Sequence, residues 1–230
     1  MISVSTALAN RHSSRAFMSD PVDERVIHEI FSSALRTASS SNIQPWRAFV
    51  LTGDALECLK ARVRESLSRS PGGEGQEFKV YPDNLQAPYN DRRIQCAEDL
   101  YGSIGVAREN KLGRLMHFAR NFEFYGAPVG VILAIDRRME PGQWADLGMF
   151  LQSILLLCEE HGLGACAQVA WAAMHRTVQE TVGIPEDLQV YCGVSIGHRD
   201  QDHPINGLVI NRAPMADIVS FQGFSTLGAA

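Results

Sequence analysis

Apolar side chains recur at three- and four-residue steps after Asp23: Val26, Ile27, Ile30, Phe31, Ala34 and Leu35. That spacing gathers them on one stripe of a helix running to about Ala38, with Asp23 as its cap and the serines at 39–41 as its stop. Trp46–Thr52 carries the short apolar run Ala48-Phe49-Val50-Leu51 and reads as a strand. Asp54 opens a second helix bearing Leu56, Leu59, Val63 and Leu67. From Pro71 to Pro88 the pattern dissolves into Gly, Pro, Asp and Asn around Gly72-Gly73-Glu74-Gly75, as expected of a mobile loop or lid. Helical spacing returns over Asn90–Phe124 in two pieces, broken near Gly102–Gly105. Val129–Ile135 is an apolar strand after Pro128. Trp144–His161 is apolar around most of its circumference, so that helix is expected to be buried on several sides and to end at Gly162. A strand near Ala165–Ala170, a helix near Met174–Val182 and a strand near Gln189–Ile196 follow. The last thirty residues read as a polar, extended arm of the kind that wraps a partner subunit.

Helices outnumber strands, and there is no internal repeat or domain break. The expectation is one domain over residues 1–230, α+β or α/β, with a sheet covered by helices. Composition narrows this little: 45% hydrophobic and 20% charged residues are ordinary for a globular chain of 230. The net charge of −5 offers no basic face to nucleic acid. Five scattered cysteines (Cys58, Cys96, Cys158, Cys166, Cys192) have no C-x-x-C spacing, which argues against disulfides and zinc and for a reducing cytoplasm. The N-terminus lacks the pattern of a signal peptide. The longest apolar stretch, Leu147–Cys158, is too short and too interrupted to span a bilayer.

Three polar segments carry the candidate chemistry. In Arg11-His12-Ser13-Ser14-Arg15, two guanidiniums bracket hydroxyls, which suits a phosphate. Taken alone it is a solvated turn, and His12 by itself has no catalytic claim. In Ser39-Ser40-Ser41-Asn42-Ile43-Gln44-Pro45-Trp46, small polar residues explain a helix end and a loop, but explain Gln44-Pro45-Trp46 less well. Arg212 follows the turn-like Gly197-His198-Arg199-Asp200. No G-x-G-x-x-G follows a strand, so there is no dinucleotide fingerprint.

In that order and spacing, R-x-S-x-R at 11–15, S-S-x-N-x-Q-P-W spanning residues 39–46, the helix after Pro21-Val22, the strand after Pro128, Gly162-Leu163-Gly164, Gly197 and the Arg212 tail resemble the nitroreductase family of FMN-dependent oxidoreductases. The resemblance covers nearly the full length. It implies an α+β fold: a central, mostly antiparallel sheet covered by helices, in an intertwined homodimer with a C-terminal arm (198–230) and a lid or substrate-pocket excursion (71–125). It implies FMN as cofactor and NADPH or NADH as donor. It further implies a ping-pong hydride transfer to nitroaromatic, nitrobenzoate-like or quinone acceptors. By analogy, Arg11, His12 (through its backbone), Ser13 and Arg212 would hold the phosphate. Arg15 would lie at the flavin N1/O2 edge, where it would stabilise negative charge. Ser39, Ser40 and Asn42 would reach the FMN of the other subunit. Gln168, Val169 and Ala170 would lie along the flavin, with a backbone N–H at N5, and Gly197 completes the set. Some relatives carry an acidic residue where Val169 stands here. Tyr81–Arg93 is similar to the nitrobenzoate-reducing branch, so Arg92 or Arg93 would hold a substrate carboxylate, with Ser41, Phe122 and Phe124 also at the substrate. As a plain reading, Arg92-Arg93 is a solvated pair and the aromatics are core. Two other readings stay open: a reductive dehalogenase of the iodotyrosine deiodinase type, for which Glu77 and Tyr81 are suitably spaced but no lysine follows before Lys111, and an FMN-binding redox sensor without turnover.

Overall fold

A computed structural model describes residues 2–224. Four strands, β1 (Trp46–Thr52), β2 (Val129–Asp136), β3 (Gly164–Gln168) and β4 (Leu188–Gly197), form one sheet in the order β1-β2-β4-β3. Every pairing is antiparallel. β2 is central, and its side chains alternate between two cores. Val131, Leu133 and Ile135 pack toward α2 (Glu24–Ala34) and α6 (Pro141–Glu160). Ile132 and Ala134 pack toward α3 (Gly53–Arg69) and α7 (His175–Val182). Such two-sided burial is why the strand reads as a continuous apolar run.

Most expected elements form, with boundary changes that have local causes. Asp23 caps α2 by accepting the Arg25 N–H at 2.9 Å. The helix ends at Ala34, before the serine run: Thr37 N–H bonds Ala34 O, and the Thr37 hydroxyl reaches Ser153 on α6 at 2.8 Å. α6 begins at Pro141 rather than Trp144, because Glu140 and Gln143 form a capping box with proline at the first turn. Gly162 leaves α6 at φ +71°, and Leu163 N–H bonds back to Cys158 O. β3 stops at Gln168, and Val169–Met174 is a 3-10 turn. The excursion holds α4 (Tyr89–Ser103) and α5 (Lys111–Ala119). The two are fastened by Arg114, which is bidentate to Glu98 and lies 4.4 Å over the Tyr101 ring. A seven-residue helix, α1 (Val4–Asn10), was not expected; it buries only Ala7, so no apolar stripe announces it.

Two expectations are corrected. The segment after Pro71 is not free along its length. Glu74 N–H bonds Ala173 O at 2.8 Å. The Glu74 carboxylate accepts the Arg176 and Thr177 N–H groups and the Thr177 hydroxyl at the start of α7. Glu77 accepts from Arg137 at 2.5 Å, and Phe78 packs on Trp144 and Tyr191. The arm does not begin at 198 and is not polar. Residues 198–207 are hydrogen-bonded into the body. Beyond them Val209, Met215, Ile218, Phe221 and Phe224 are exposed apolar side chains. Residues 225–230 of the expected arm lie outside the described residues.

Candidate functional site

Residues 11–17 leave α1 as extended chain, bridged at Ser13 to Ala165 and at Phe17 to Arg199. Extended chain sends alternate side chains to opposite sides. Ser14 and Ala16 turn inward and are buried. Arg11, Ser13 and Arg15 turn the other way and line a cavity of about 700 Å³, together with His12. The R-x-S-x-R spacing is therefore one face of a strand-like segment. The facing wall is the tail from Ile205 to Ile210 with Arg212; Cys96 and Leu100 of α4 and Leu8 of α1 complete the lining.

Three arginines and no carboxylate line this cavity. Arg15 Nη1 donates to Ser13 O at 3.3 Å, and Arg212 Nη1 donates to Ile210 O at 2.8 Å. These bonds orient the guanidiniums but leave their charge uncompensated and most of their N–H donors free. His12 Nδ1 lies 3.1 Å from Asn10 O, while its Nε2 is buried without a partner. The groups behind Arg15 stay neutral. Burial pushes the Tyr125 hydroxyl up to about 12, outweighing the nearby Arg15, and burial likewise raises the Cys166 thiol. Burial, then Arg120, Arg15 and His203, pushes His117 down to about 4. The arrangement is a polar, cationic pocket suited to a phosphate or a comparable anion.

The other expected residues lie elsewhere in the chain. Ser40–Asn42 is a 3-10 turn on the N-terminal half of α6, where the Ser40 N–H donates to both Asp146 carboxylate oxygens at 3.2 Å. Ser40, Ser41 and Asn42 are exposed and do not line the cavity. Ser41, Asn42 and Gln44 have φ of 49°, 58° and 52°, an unusual cluster of left-handed residues. Gln168 is buried; its amide accepts from the Ser195 hydroxyl at 2.6 Å and donates to Asn121 O at 2.8 Å, so its side chain braces the turn that presents Val169 and Ala170. That turn lies three strand residues, about 10 Å, from the Ser13 bridge at Ala165. Gly197 closes β4 against Pro128, which would lie 2.6 Å from a Cβ there; its role is close packing outside the cavity.

Phe122 and Phe124 belong to the core under the sheet. Phe124 stacks on Trp171 at 4.3 Å and is 0% exposed, so it presents no surface to a substrate. Arg93 bonds Asn90 and covers the Tyr81 ring. Arg92 lines a second cavity with Arg212, Ile210 and Gln95. Sequence reasoning missed the groups that hold the cationic segment in place. Arg199 donates to Ser14 Oγ at 3.1 Å and to Leu163 O, and pairs with buried Glu159. Asn206 bonds both Arg15 and Ala16. In the sequence, Asn206-Gly207 signals only a turn.

The profile of the nitroreductase family matches residues 8–198. A chloronitrobenzene nitroreductase of Comamonas testosteroni is 33% identical, over 93% of this chain and 94% of its own. A 4-nitrobenzoate reductase of Pseudomonas putida is 31% identical, over 94% of each. Among solved structures, the FMN- and NADPH-dependent nitroreductase NfnB of Sphigopyxis sp. strain HMH superposes with a TM-score of 0.94 at 40% identity, covering 97% of this chain and all of that one. The FMN-dependent NfnB of Mycobacterium smegmatis, solved with NADPH, gives 0.89 at 26% identity, covering 96% of this chain and all of that one. A sheet of this order, a cationic segment bridged to its edge strand and full-length similarity to these enzymes converge on one conclusion: the chain belongs to the nitroreductase family.

Proposed function

We propose that the protein is an FMN-dependent oxidoreductase that takes electrons from a reduced nicotinamide, NADPH in the first instance, and reduces nitroaromatic or quinone acceptors. The observation that carries this is the convergence of Arg11, Ser13, Arg15 and Arg212 on one acid-free cavity. The residues fit FMN: a terminal phosphate meets guanidinium forks and a hydroxyl, and the volume lies within the roughly 300–1,000 Å³ of cofactor sites. Bound there, FMN supplies hydride chemistry between donor and acceptor. Arg11, Ser13 and Arg212 would hold the phosphate and Arg15 would stabilise negative charge on the reduced flavin, while Val169 and Ala170, on the braced turn, would offer backbone groups to it.

We further infer a homodimer that completes each site. The exposed stretch with three left-handed residues stores strain, a property that clusters at ligand contacts, yet Ser41 and Asn42 lie outside the cationic cavity of their own subunit and Gln44 borders only a small separate one beside Arg47 and Asp136. The unpaired edge of β1 and the apolar arm are surfaces for a second copy. Arg92, which borders Arg212 in the adjoining cavity, is the better placed of the two α4 arginines to hold a substrate carboxylate. The deiodinase reading loses support, because the Glu77 carboxylate is engaged by Arg137 while Tyr81 stands exposed.

The test is direct. Purified protein is expected to be yellow or to take up FMN, to bleach with NADPH and to recover its colour with 4-nitrobenzoate or nitrobenzene. Arg11→Ala should weaken FMN binding by one to two orders of magnitude while leaving far-ultraviolet dichroism intact, a loss of about 1.5–3 kcal/mol for a charge-assisted contact. Arg92→Ala should raise KM for 4-nitrobenzoate and not for nitrobenzene. A colourless protein that ignores added FMN overturns the proposal.

A further inference from the structure

The two walls of the cationic cavity lie almost two hundred residues apart in sequence, and one side chain joins them. Asn206 is 9% exposed. Its Oδ1 accepts the Arg15 N–H at 2.8 Å; its Nδ2 donates to Ala16 O and to Asp200 O, each at 2.8 Å. One N–H and two carbonyls fix which amide end is which: oxygen to Arg15, nitrogen to the other two. Aspartate has no hydrogens for the carbonyls, and alanine reaches none of the three. Beyond Asn206 the anchoring stops. Gly207 ends a short 3-10 turn that begins at Pro204, and residues 208–212 make no hydrogen bond to the body of the protein among the described residues; Arg212 bonds only the carbonyls of Ile210 and Asn211 beside it. Asn206 is thus the last side chain hydrogen-bonded to the body before Arg212 among the described residues, and the same amide holds the backbone of Arg15.

We propose that Asn206 is a positioning residue of the phosphate cradle: it aligns Arg212 with Arg11 and Ser13, and through them sets the preference for a phosphorylated flavin over riboflavin. This rests on reading the cavity as the FMN site. Although Asn206 borders the cavity, both ends of its amide are engaged by Arg15, Ala16 and Asp200, so it acts by fixing the distance between two cationic walls. A phosphate needs both walls at once, whereas a flavin ring without one does not.

The experiment titrates full-length protein, freed of bound flavin, with FMN and with riboflavin, following quenching of flavin fluorescence. Wild type is expected to bind FMN at least about a hundredfold more tightly than riboflavin, and Asn206→Ala to lower that ratio about tenfold or more. Asn206→Asp, which keeps the acceptor but loses both donors, should lower it too, and serves if the alanine variant does not fold. In an Arg212→Ala background the Asn206 substitution should add little, since the two act through one contact. Equal weakening of FMN and riboflavin, or an unchanged ratio, overturns the positioning role and leaves Asn206 a fold-stabilising residue. A wild type that does not prefer FMN overturns the reading of the cavity itself, a result visible before any variant is made.

Discussion

His117 shows how one residue's surroundings become a pH dependence. It is 8% exposed, wedged between Tyr101 and Tyr125, and its Nε2 has no partner. Burial first, then the positive charge of Arg120 and Arg15, holds it at about 4, below its ordinary 6.5. A histidine depressed by folding is protonated more readily in the unfolded chain. Its contribution is therefore fully present above about pH 6.5 and drains away as pH falls toward 4, at most about 3 kcal/mol. Chemical denaturation between pH 7 and 4 should show wild-type stability falling more steeply than that of His117→Phe. Parallel slopes would refute the assignment. The glycines show the opposite economy, where the absent side chain matters: a Cβ at Gly193 would lie 2.2 Å from Trp171, the ring on which Phe124 stacks.

At the scale of elements, the excursion between α3 and α4 is two things: a half pinned to α7 and an exposed half leading to α4. Glu74 is the pin. Burial alone would raise its carboxyl, but hydrogen bonds from Thr177, Arg176 and Ser66 win and lower it below its ordinary value. The pin is in place above that ordinary value and weakens as acid protonates it. Glu74→Ala should cost about 1–2 kcal/mol, the scale of a lost helix cap, and should make the stretch from Ser70 to Pro88 the first site of proteolytic nicking. Unchanged cleavage would show that Phe78 alone suffices. None of this was legible in the sequence, because a carboxylate that caps a helix about a hundred residues away leaves no local pattern. What was legible was local. β2 was read from an unbroken apolar run, α6 from apolar positions around most of its circumference, Asp23 from its capping chemistry, and the 11–15 segment from arginines that bracket hydroxyls; that Arg11, Ser13 and Arg15 share one face came only with the extended backbone. The end of α2 was misplaced because Thr37 is drawn off by Ser153, a contact no window around Ala38 contains. Asn206 was passed over as part of an extended arm.

At the scale of the molecule, the proposed homodimer would bury the apolar arm and the edge of β1 that is unpaired among the described residues. A chain truncated after Arg212 should sediment as a monomer and lose flavin, even though every residue of the cationic cavity remains. A truncated dimer that keeps its flavin would place the interface elsewhere. The described residues contain no helix long and apolar enough to cross a membrane.

The cavity wall has one more consequence. Three like charges line one cavity, and beyond Gly207 its tail wall has no hydrogen bond to the body among the described residues, so a bound anion would also be a fastener. With it in place, the C-terminal end is clipped to the body; without it, mutual repulsion loosens the segment that begins at Gly207. A subunit that has never met its cofactor therefore carries a loose end that a loaded one hides. Wherever damaged or incomplete proteins are recognised by their free tails, empty and filled copies of this chain would be cleared at different rates, and cofactor supply would set how much of the protein accumulates.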